Sequence, residues 1–290
     1  MTKHIRVGYD GAPASAEAVV WAADEAARRG VPLHVVSCFQ MPVSGVEVYG
    51  FIPTEAIASM REAADVNLRE IQATVATRHP GIDVSVEAAA GPASSVLVEG
   101  LNADDLLVVG ASNHTGVAAF WLGSTPRHLV RHSPCPVVVV RGAASRGRPD
   151  RIVVGVDGSP TSEIALRWAG DEADLHQVGL HVVHAWSYPY IGADAVGTSS
   201  QARDLTEIDA ACLLDKALES SRERIGAATT SSLVERPAVT GLLESVRDGD
   251  LLVVGASGHG AFMAGLLGST VNMVLERAAV PVVVVPSPAS

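Results

Sequence analysis

The residues best suited to chemistry lie in a glycine-rich stretch in the second half of the chain. Gly255 and Gly258 are followed by Gly268, Ser269 and Thr270. Small residues let the backbone approach a ligand closely, and successive backbone N–H groups can surround an anion. If a helix starts at Gly268, its N-terminus adds partial positive charge and directs further N–H groups, that of Gly268 included, at the same anion. The pattern predicts a phosphate cradle that needs no lysine.

The better-known phosphate-binding motifs are absent from the sequence. The only lysines are Lys3 and Lys216, and neither follows a glycine, which excludes a Walker A loop. Gly255 and Gly258 also lack the Gly-x-Gly start of the dinucleotide fingerprint. Phosphate binding would therefore depend on backbone N–H groups and on hydroxyls.

The chain contains this pattern twice. Asp10 and Gly11 return as Asp157 and Gly158 after 147 residues. Further pairs, 145 residues apart, are Gly110 with Gly255, Gly123 with Gly268, Ser124 with Ser269, and Thr125 with Thr270. A repeat of this length indicates a duplicated domain, since solenoid units have about 20–50 residues. We expect domains over residues 1–143 and 150–290, joined by the polar stretch 142–149.

Each half predicts strands that alternate with helices. In the first half the predicted strands cover 4–9, 33–39, 84–88, 106–109 and 136–140, and the predicted helices cover 13–29, 54–78 and 91–102, with a short helix capped by Ser124. The strands are continuous apolar runs, which is typical of a parallel sheet covered on both faces. With right-handed crossovers, the predicted fold class is α/β: two tandem doubly wound domains, each an open five-stranded parallel sheet flanked by helices.

The predicted topology places the candidate residues in one site. Ligands of doubly wound sheets bind beyond the carboxyl ends of the strands, where the strand order reverses. The loop after the first strand of the second half carries Asp157, Gly158 and Ser159, and the loop after the fourth is the glycine-rich stretch. That second loop exceeds the usual short connection, which favours a binding role. Asp157 and its equivalent Asp10 would serve equally well as helix caps.

Composition excludes several classes of protein. A net charge of −11 argues against nucleic acid and against an anionic membrane surface as a partner. No apolar stretch of about 18 residues predicts a membrane-spanning helix, and the first residues lack the apolar core of a signal peptide. Three cysteines, Cys38, Cys135 and Cys212, form no even framework and suggest free thiols in a reducing compartment. We therefore expect a soluble, cytoplasmic protein.

The motifs resemble those of a known family. The spacing of Gly255, Gly258, Gly268 and Ser269, with two and then nine residues between the glycines, is similar to the ATP-binding motif of the universal stress proteins. The Val-Gly-Val-Asp-Gly-Ser run within 152–159 and the valine-rich end at 281–285 also match that family. Both repeats carry the resemblance, which is that of the tandem two-domain form. It implies a Rossmann-like fold of the adenine-nucleotide alpha-hydrolase type, with ATP, and Mg²⁺ beside it, as the ligand.

The resemblance also implies roles for individual residues. Asp157 would lie near the adenine or ribose, and the backbone around Ala185 would meet the adenine ring. The full expected set in the second repeat is Asp157, Gly158, Ser159, Ala185, Gly255, Gly258, His259, Gly260, Gly268, Ser269 and Thr270. The matching set in the first repeat is Asp10, Gly11, Gly110, Asn113, Gly123, Ser124 and Thr125.

Nucleotide binding in the first repeat stays open at this point. Asn113 replaces the second glycine of the motif, and Ala12 replaces Ser159. Asparagine tolerates left-handed backbone better than most residues, but its side chain would crowd the phosphates. One histidine pattern has an ordinary alternative. His128 and His132 are spaced as a metal pair, yet a plain helix face explains them as well.

Three functions are consistent with the sequence. The first is a regulatory protein of the stress response that acts on a partner protein through its ATP occupancy. The second is a slow ATPase or self-phosphorylating enzyme, with Ser124, Thr125, Ser269 and Thr270 as acceptors; we expect at most weak activity, because no lysine or evident general base accompanies them. The third is a nucleotide-independent dimerisation scaffold.

The last strands of the two halves would be bare sheet edges, and we expect them to pair within one chain as a pseudo-dimer, or between chains as a homodimer.

Overall fold

The computed structural model describes residues 2–39, 54–111, 123–141, 148–188, 199–221, 225–258 and 267–287. The chain divides into two compact units, Met1–Gly147 and Arg148–Ser290. The described elements follow the same order in both units, as the sequence repeat requires.

The first unit is a parallel sheet with helices in its crossovers. Its elements are β1 (Ile5–Gly8), α1 (Pro13–Arg29), β2 (Leu33–Phe39), α2 (Thr54–Arg78), β3 (Val84–Ala90), α3 (Ala93–Val96), β4 (Leu106–Gly110), α4 (Ser124–His132) and β5 (Val137–Val140). All the described strand pairs are parallel, and the strand order is β3-β2-β1-β4-β5. The order reverses between β1 and β4, so their carboxyl ends form the crevice where ligands bind in such sheets.

The second unit has the same topology. Its elements are β6 (Arg151–Gly155), α5 (Pro160–His176), β7 (Gly179–Trp186), α6 (Ser199–Ser221), β8 (Thr229–Glu235), α7 (Ala238–Glu244), β9 (Asp250–Gly255), α8 (Ser269–Arg277) and β10 (Val282–Val285). The strand order is β8-β7-β6-β9-β10, again with parallel pairing throughout the described strands. The predicted fold class, with five strands per unit and the reversal after the first and fourth, is confirmed.

Two local predictions differ from the structure. The helix expected over 91–102 ends at Val96, because turns follow it and Gly100 adopts a left-handed backbone with φ of 72°. The second difference concerns the helix expected to be capped by Ser124. There Gly123 is the N-cap, in extended geometry, and Ser124 is already helical.

The core of each sheet consists of aliphatic side chains. All four residues of β5 and of β10 are buried valines. The largest fully buried side chains are leucines and isoleucines, among them Ile5, Leu106, Ile152 and Leu251 on the central strands. Strands buried on both faces explain why they appear in the sequence as unbroken apolar runs.

A buried ion cluster fastens the end of α2 to α1 in the first unit. The Asp24 carboxylate is 7% exposed and accepts hydrogen bonds from Arg78 Nε at 2.6 Å and Nη2 at 2.8 Å. His79 Nε2 lies 2.6 Å from the same carboxylate. Burial alone would raise the pKa of Asp24, but Arg78 and His79 outweigh it and hold that pKa below its usual value.

We expect Asp24→Asn to lower the free energy of unfolding at pH 7 by about 2 kcal/mol, because charge-assisted hydrogen bonds are lost. A depressed folded pKa stabilises above the unfolded value of about 3.9, and this contribution disappears as pH falls through the folded value. The gap between parent and variant in urea unfolding should therefore close below about pH 4.

The second unit supplies the control for this prediction. Asp171 stands 147 residues after Asp24, and burial, with the neighbouring Glu172, raises its pKa instead. Asp171→Asn should therefore leave stability at pH 7 unchanged or higher. An equal loss of stability from both variants would show that the Asp24 cluster contributes nothing specific.

Candidate functional site

In the second unit a cavity of about 440 Å³ opens at the carboxyl ends of β6 and β9. It lies at the reversal point of the sheet, where the topology predicts a ligand site. Its described lining residues are Gly155, Val156, Asp157, Ser162, Val183, Ala185, Ala238, Leu242, Val254, Gly255, Ser257, Gly258, Leu267, Gly268, Ser269, Thr270 and Val271. One side of the cavity is apolar, and the other presents backbone N–H groups and hydroxyls.

The apolar wall is built by strand ends and one helix. Val183 and Ala185 point to the same face of β7, since side chains alternate along a strand. Leu242 of α7 covers the end of β6 closely: a Cβ on Gly155 would lie 2.7 Å from Leu242 Cδ2, so the leucine side chain would have to shift. Between the two wall residues of β7, the buried His184 donates from Nδ1 to the Val156 carbonyl at 2.7 Å. This bond holds the backbone of Val156, which directly follows β6 and lines the cavity.

The three predicted site residues in the turn after β6, namely Asp157, Gly158 and Ser159, have different roles. Asp157 lines the cavity, and its Oδ1 accepts a hydrogen bond from the Ser159 N–H at 3.0 Å. Gly158 takes a left-handed conformation, with φ of 77°. Ser159 is the N-cap of α5, since its Oγ accepts from the Ser162 N–H at 3.2 Å. Helix capping therefore belongs to Ser159, and of the three residues Asp157 alone is among the cavity lining.

The loop after β9 approaches this turn so closely that two glycines are required. A Cβ on Gly255 would lie 2.9 Å from Thr161 Cγ2 and 3.1 Å from the Thr161 carbonyl carbon, in the first turn of α5. A Cβ on Gly258 would collide with the Asp157 carboxylate. The motif glycines thus bring the two loops into contact, and Asp157 lies directly beside the Gly258 backbone.

Gly268 plays a different part from the one its position in the sequence predicts. Its N–H donates to the Ala256 carbonyl at 3.0 Å and closes the glycine-rich loop, so this N–H is not directed at the cavity. Ser269, Thr270 and Val271 line the cavity at this end, and their N–H groups lack acceptors within a helix that starts at Ser269, which makes them the candidate donors. The N-cap residue Gly268 offers no side chain as a cap, and the first turn of α8 holds no acidic residue.

Three hydroxyls meet at the edge of the same loop. Ser257 Oγ lies 3.1 Å from Thr161 Oγ1 and 2.8 Å from Ser287 Oγ, and the Thr161 and Ser287 oxygens are 3.2 Å apart. Thr161 belongs to α5, and Ser287 follows β10. The cluster therefore connects the glycine-rich loop to the first turn of α5 and to the segment after β10.

The first unit has an equivalent but smaller cavity, of about 280 Å³. The predicted residues Asp10, Gly110, Gly123, Ser124 and Thr125 line it. Gly11, like Gly158, is a left-handed turn residue, with φ of 81°, and is not among the lining. The close approach between loops is also conserved in the geometry, since a Cβ on Gly110 would collide with the backbone of α1's first turn.

Three lining residues distinguish the first cavity from the second. Tyr9 stands where the second unit has Val156, Cys38 where it has Ala185, and Pro126 where it has Val271. Burial, with the Glu70 and Asp10 carboxylates, raises the pKa of Tyr9, which keeps its hydroxyl protonated. Burial and Glu87 raise the pKa of the Cys38 thiol, so this cysteine is a weak nucleophile.

Comparison with known proteins agrees with this geometry. The sequence profile of the universal stress protein family matches residues 1–141 and 149–286. The chain belongs to the universal stress protein family. The universal stress protein Rv2005c of Mycobacterium tuberculosis is 32% identical over 288 residues, which cover 96% of this chain and 95% of that protein. A universal stress protein of Mycolicibacterium smegmatis is 30% identical and covers 97% of this chain and 96% of its own length.

Solved structures support the fold of this universal stress protein. The crystal structure of a universal stress protein from Archaeoglobus fulgidus superposes with a TM-score of 0.70 at 18% identity, covering 98% of both chains. A putative universal stress protein from Pseudomonas aeruginosa gives a TM-score of 0.65 at 18% identity, covering 98% of this chain and 93% of its own. None of the described helices is long and apolar enough to cross a bilayer.

Some predicted residues of this universal stress protein fall outside the described ranges, namely Asn113, His259 and Gly260. The histidine pair of α4 is described, and its rings stack with centroids 4.1 Å apart. His132 Nδ1 donates to the His128 carbonyl at 2.9 Å. One ring nitrogen is thereby occupied in a helix-face contact, which favours the ordinary alternative over a metal site.

Sequence reasoning missed the apolar wall of both cavities. The structure adds Leu242 and Val183 in the second unit and Leu97 and Val36 in the first. Their signal is in the repeat: Leu97 and Leu242 are 145 residues apart, like the motif glycines. Isolated leucines at helix positions carry no motif, so only the alignment of one repeat on the other would have found them.

The helix caps of the two units lead to a paired prediction. Ala12 and Ser159 have nearly the same backbone angles, with φ of −75° in both and ψ of 152° and 153°, but only Ser159 caps its helix with a side chain. We expect Ser159→Ala to cost about 1 kcal/mol of unfolding free energy, and Ala12→Ser to add up to that amount. Urea unfolding of both variants measures the two effects. Destabilisation by Ala12→Ser would mean that the backbone angles alone do not define the cap.

Proposed function

We propose that this universal stress protein binds ATP in the cavity of its second unit. It acts in the cytoplasm as part of the stress response, and a regulatory partner distinguishes the ATP-bound second unit from the empty one. One observation carries the proposal. A single cavity at the reversal point combines an apolar wall, a carboxylate at Asp157 and the uncapped N-terminus of α8.

The apolar half of the cavity suits the base. Val183, Ala185 and Leu242 form a wall without charged groups, against which a planar ring can be buried. The volume, about 440 Å³, lies within the usual range of about 300–1,000 Å³ for small-molecule sites. Backbone groups at the end of β7 lie beside the same wall and would supply the polar contacts to the ring edge.

The polar half suits the phosphates. Backbone N–H groups of Ser269, Thr270 and Val271 face the cavity at the positive end of the helix dipole. Hydroxyls of Ser269 and Thr270 add donors. These groups can hold a polyphosphate although the chain carries a net charge of −11 and no cavity lysine.

Asp157 is the residue best placed to hold Mg²⁺. Mg²⁺ is usually held by one or two carboxylates together with substrate phosphates, and Asp157 is a carboxylate beside the glycine-rich loop. The donor set therefore fits a cation that accompanies ATP. Bound there, the ion would neutralise phosphate charge next to the acidic side chain.

The lining favours binding over turnover. Asp157 is the only ionisable side chain among the described residues of this cavity, so no second group is present there to act as a general base or acid. Slow hydrolysis or transfer to Ser269 or Thr270 is the second candidate, favoured only by the hydroxyls at the phosphate end. A nucleotide-independent scaffold would need neither the uncapped helix nor the carboxylate.

One experiment separates the three candidates. The purified chain is denatured and the released nucleotide is identified by chromatography. ATP in the supernatant supports occupancy-based regulation, ADP together with free phosphate supports hydrolysis, and the absence of nucleotide, with no binding of added ATP, supports the scaffold.

We expect Gly258→Ala to weaken ATP binding by tenfold or more in a calorimetric titration. The new Cβ would collide with the Asp157 carboxylate and displace it from the cavity, and a charge-assisted contact is worth about 1.5–3 kcal/mol. The fold should persist, because the loop lies outside the sheet core.

Gly226→Ala is the matched control, because its new Cβ would also crowd an aspartate, with Asp174 Oδ1 at 3.2 Å, but away from the cavity. Circular dichroism and thermal unfolding verify that both variants fold. If the two variants bind ATP equally well, Asp157 and its glycine neighbour do not contribute to the site.

A further inference from the structure

The two cavities share the end that suits a base. Val36, Leu97 and Val109 line the first, at the positions of Val183, Leu242 and Val254 in the second. Gly8 repeats the role of Gly155, since its Cβ would lie 2.9 Å from Leu97 Cδ1. An aromatic base that fits one wall should therefore fit the other.

At their opposite ends, the described residues of the two cavities differ in one backbone donor. In α8 the first turn offers three N–H groups, from Ser269, Thr270 and Val271. In α4 the third position is Pro126, which has no N–H. Pro126 is also among the residues that line the first cavity. The first cavity thus loses a phosphate donor and presents a carbon atom there.

The first cavity is also smaller, at about 280 Å³ against about 440 Å³. Tyr9 and Cys38 are both larger than their counterparts Val156 and Ala185. The first cavity as a whole therefore has less room for a base together with a chain of phosphates, and among the described residues it also has one donor fewer at the phosphate end. Two independent features, volume and donor count, therefore change in the same direction.

We propose that the two cavities select ligands by phosphate number: the second holds ATP, and the first holds an adenine nucleoside with at most one phosphate. This inference rests on the proposed function, because it takes the ATP site of the second unit as given. A chain built in this way responds to the triphosphate and to its dephosphorylated forms at separate sites.

Stoichiometry on the full chain is the first test. Calorimetric titrations with ATP, AMP and adenosine should give one ATP site per chain and two sites for AMP. Ala185→Trp fills the second cavity and should leave one AMP site and no ATP site. Cys38→Trp fills the first and should leave one ATP and one AMP site.

An exchange of the distinguishing residue is the sharper test. Val271→Pro removes the third N–H of α8, and the fold of α4 shows that this first turn accepts proline. It should weaken ATP binding at the second cavity about tenfold, equivalent to about 1.4 kcal/mol, and change adenosine affinity less than threefold. Pro126→Val should make ATP binding at the first cavity measurable in the Ala185→Trp background, where Pro126 leaves none.

The outcomes separate this inference from the function on which it rests. Two ATP sites of equal affinity in the parent chain, or no gain of ATP binding in Pro126→Val, would overturn phosphate selection and leave the ATP proposal standing. Failure of ATP, AMP and adenosine to bind at millimolar concentration would overturn both. If Val271→Pro unfolds by circular dichroism, Pro126→Val decides alone, because it replaces proline by a residue that the matching turn of α8 already holds.

Discussion

The site in each unit depends on a close contact between the end of its fourth strand and the first turn of its first helix. At Gly255, and equally at Gly110, no Cβ can be placed without meeting the backbone of that helix. In the second unit, where Gly258 is described, the loop after β9 then lies against the loop after β6 at Asp157. Asp157 and the glycine-rich loop then share one cavity, although almost 100 residues of chain separate them. The strand order of the sheet determines where the cavity lies, and the close contact at the glycine brings the two loops together around it.

The sequence was sufficient for the fold because the signals of parallel sheets are strong. Continuous valine runs, such as those of β5 and β10, are buried on both faces and cannot be mistaken for amphipathic segments. Local geometry was less predictable. The end of α3 and the hydrogen bond of the Gly268 N–H depend on turns whose partners are distant in sequence. The apolar walls escaped motif reasoning, because a leucine at a helix position looks the same whether it packs in the core or faces a cavity.

The duplicated units show which parts of the site are fixed by folding and which are free to change. Gly110 and its counterpart Gly255 are required by packing, since a side chain there would strike helix backbone, while a side chain at Gly8 or Gly155 would force Leu97 or Leu242 to shift. Both units keep them. The residues that differ, including Tyr9 and Pro126, lie at the cavity surface, where a change costs the sheet little. Divergence is therefore concentrated where it alters the ligand and not the fold.

The electrostatics of the proposed site explain why a difference of one residue would have a large effect on phosphate binding. An acidic chain with two lysines cannot attract a polyanion through its overall field. Attraction must come from N–H dipoles within a few ångströms of the phosphates, and such dipoles act only over the first helical turn. Each N–H then supplies a large share of the total, and no distant charge compensates for a missing one. In the proposed arrangement one proline would change the affinity for phosphate without altering the net charge, so backbone geometry would control the phosphate preference of each unit.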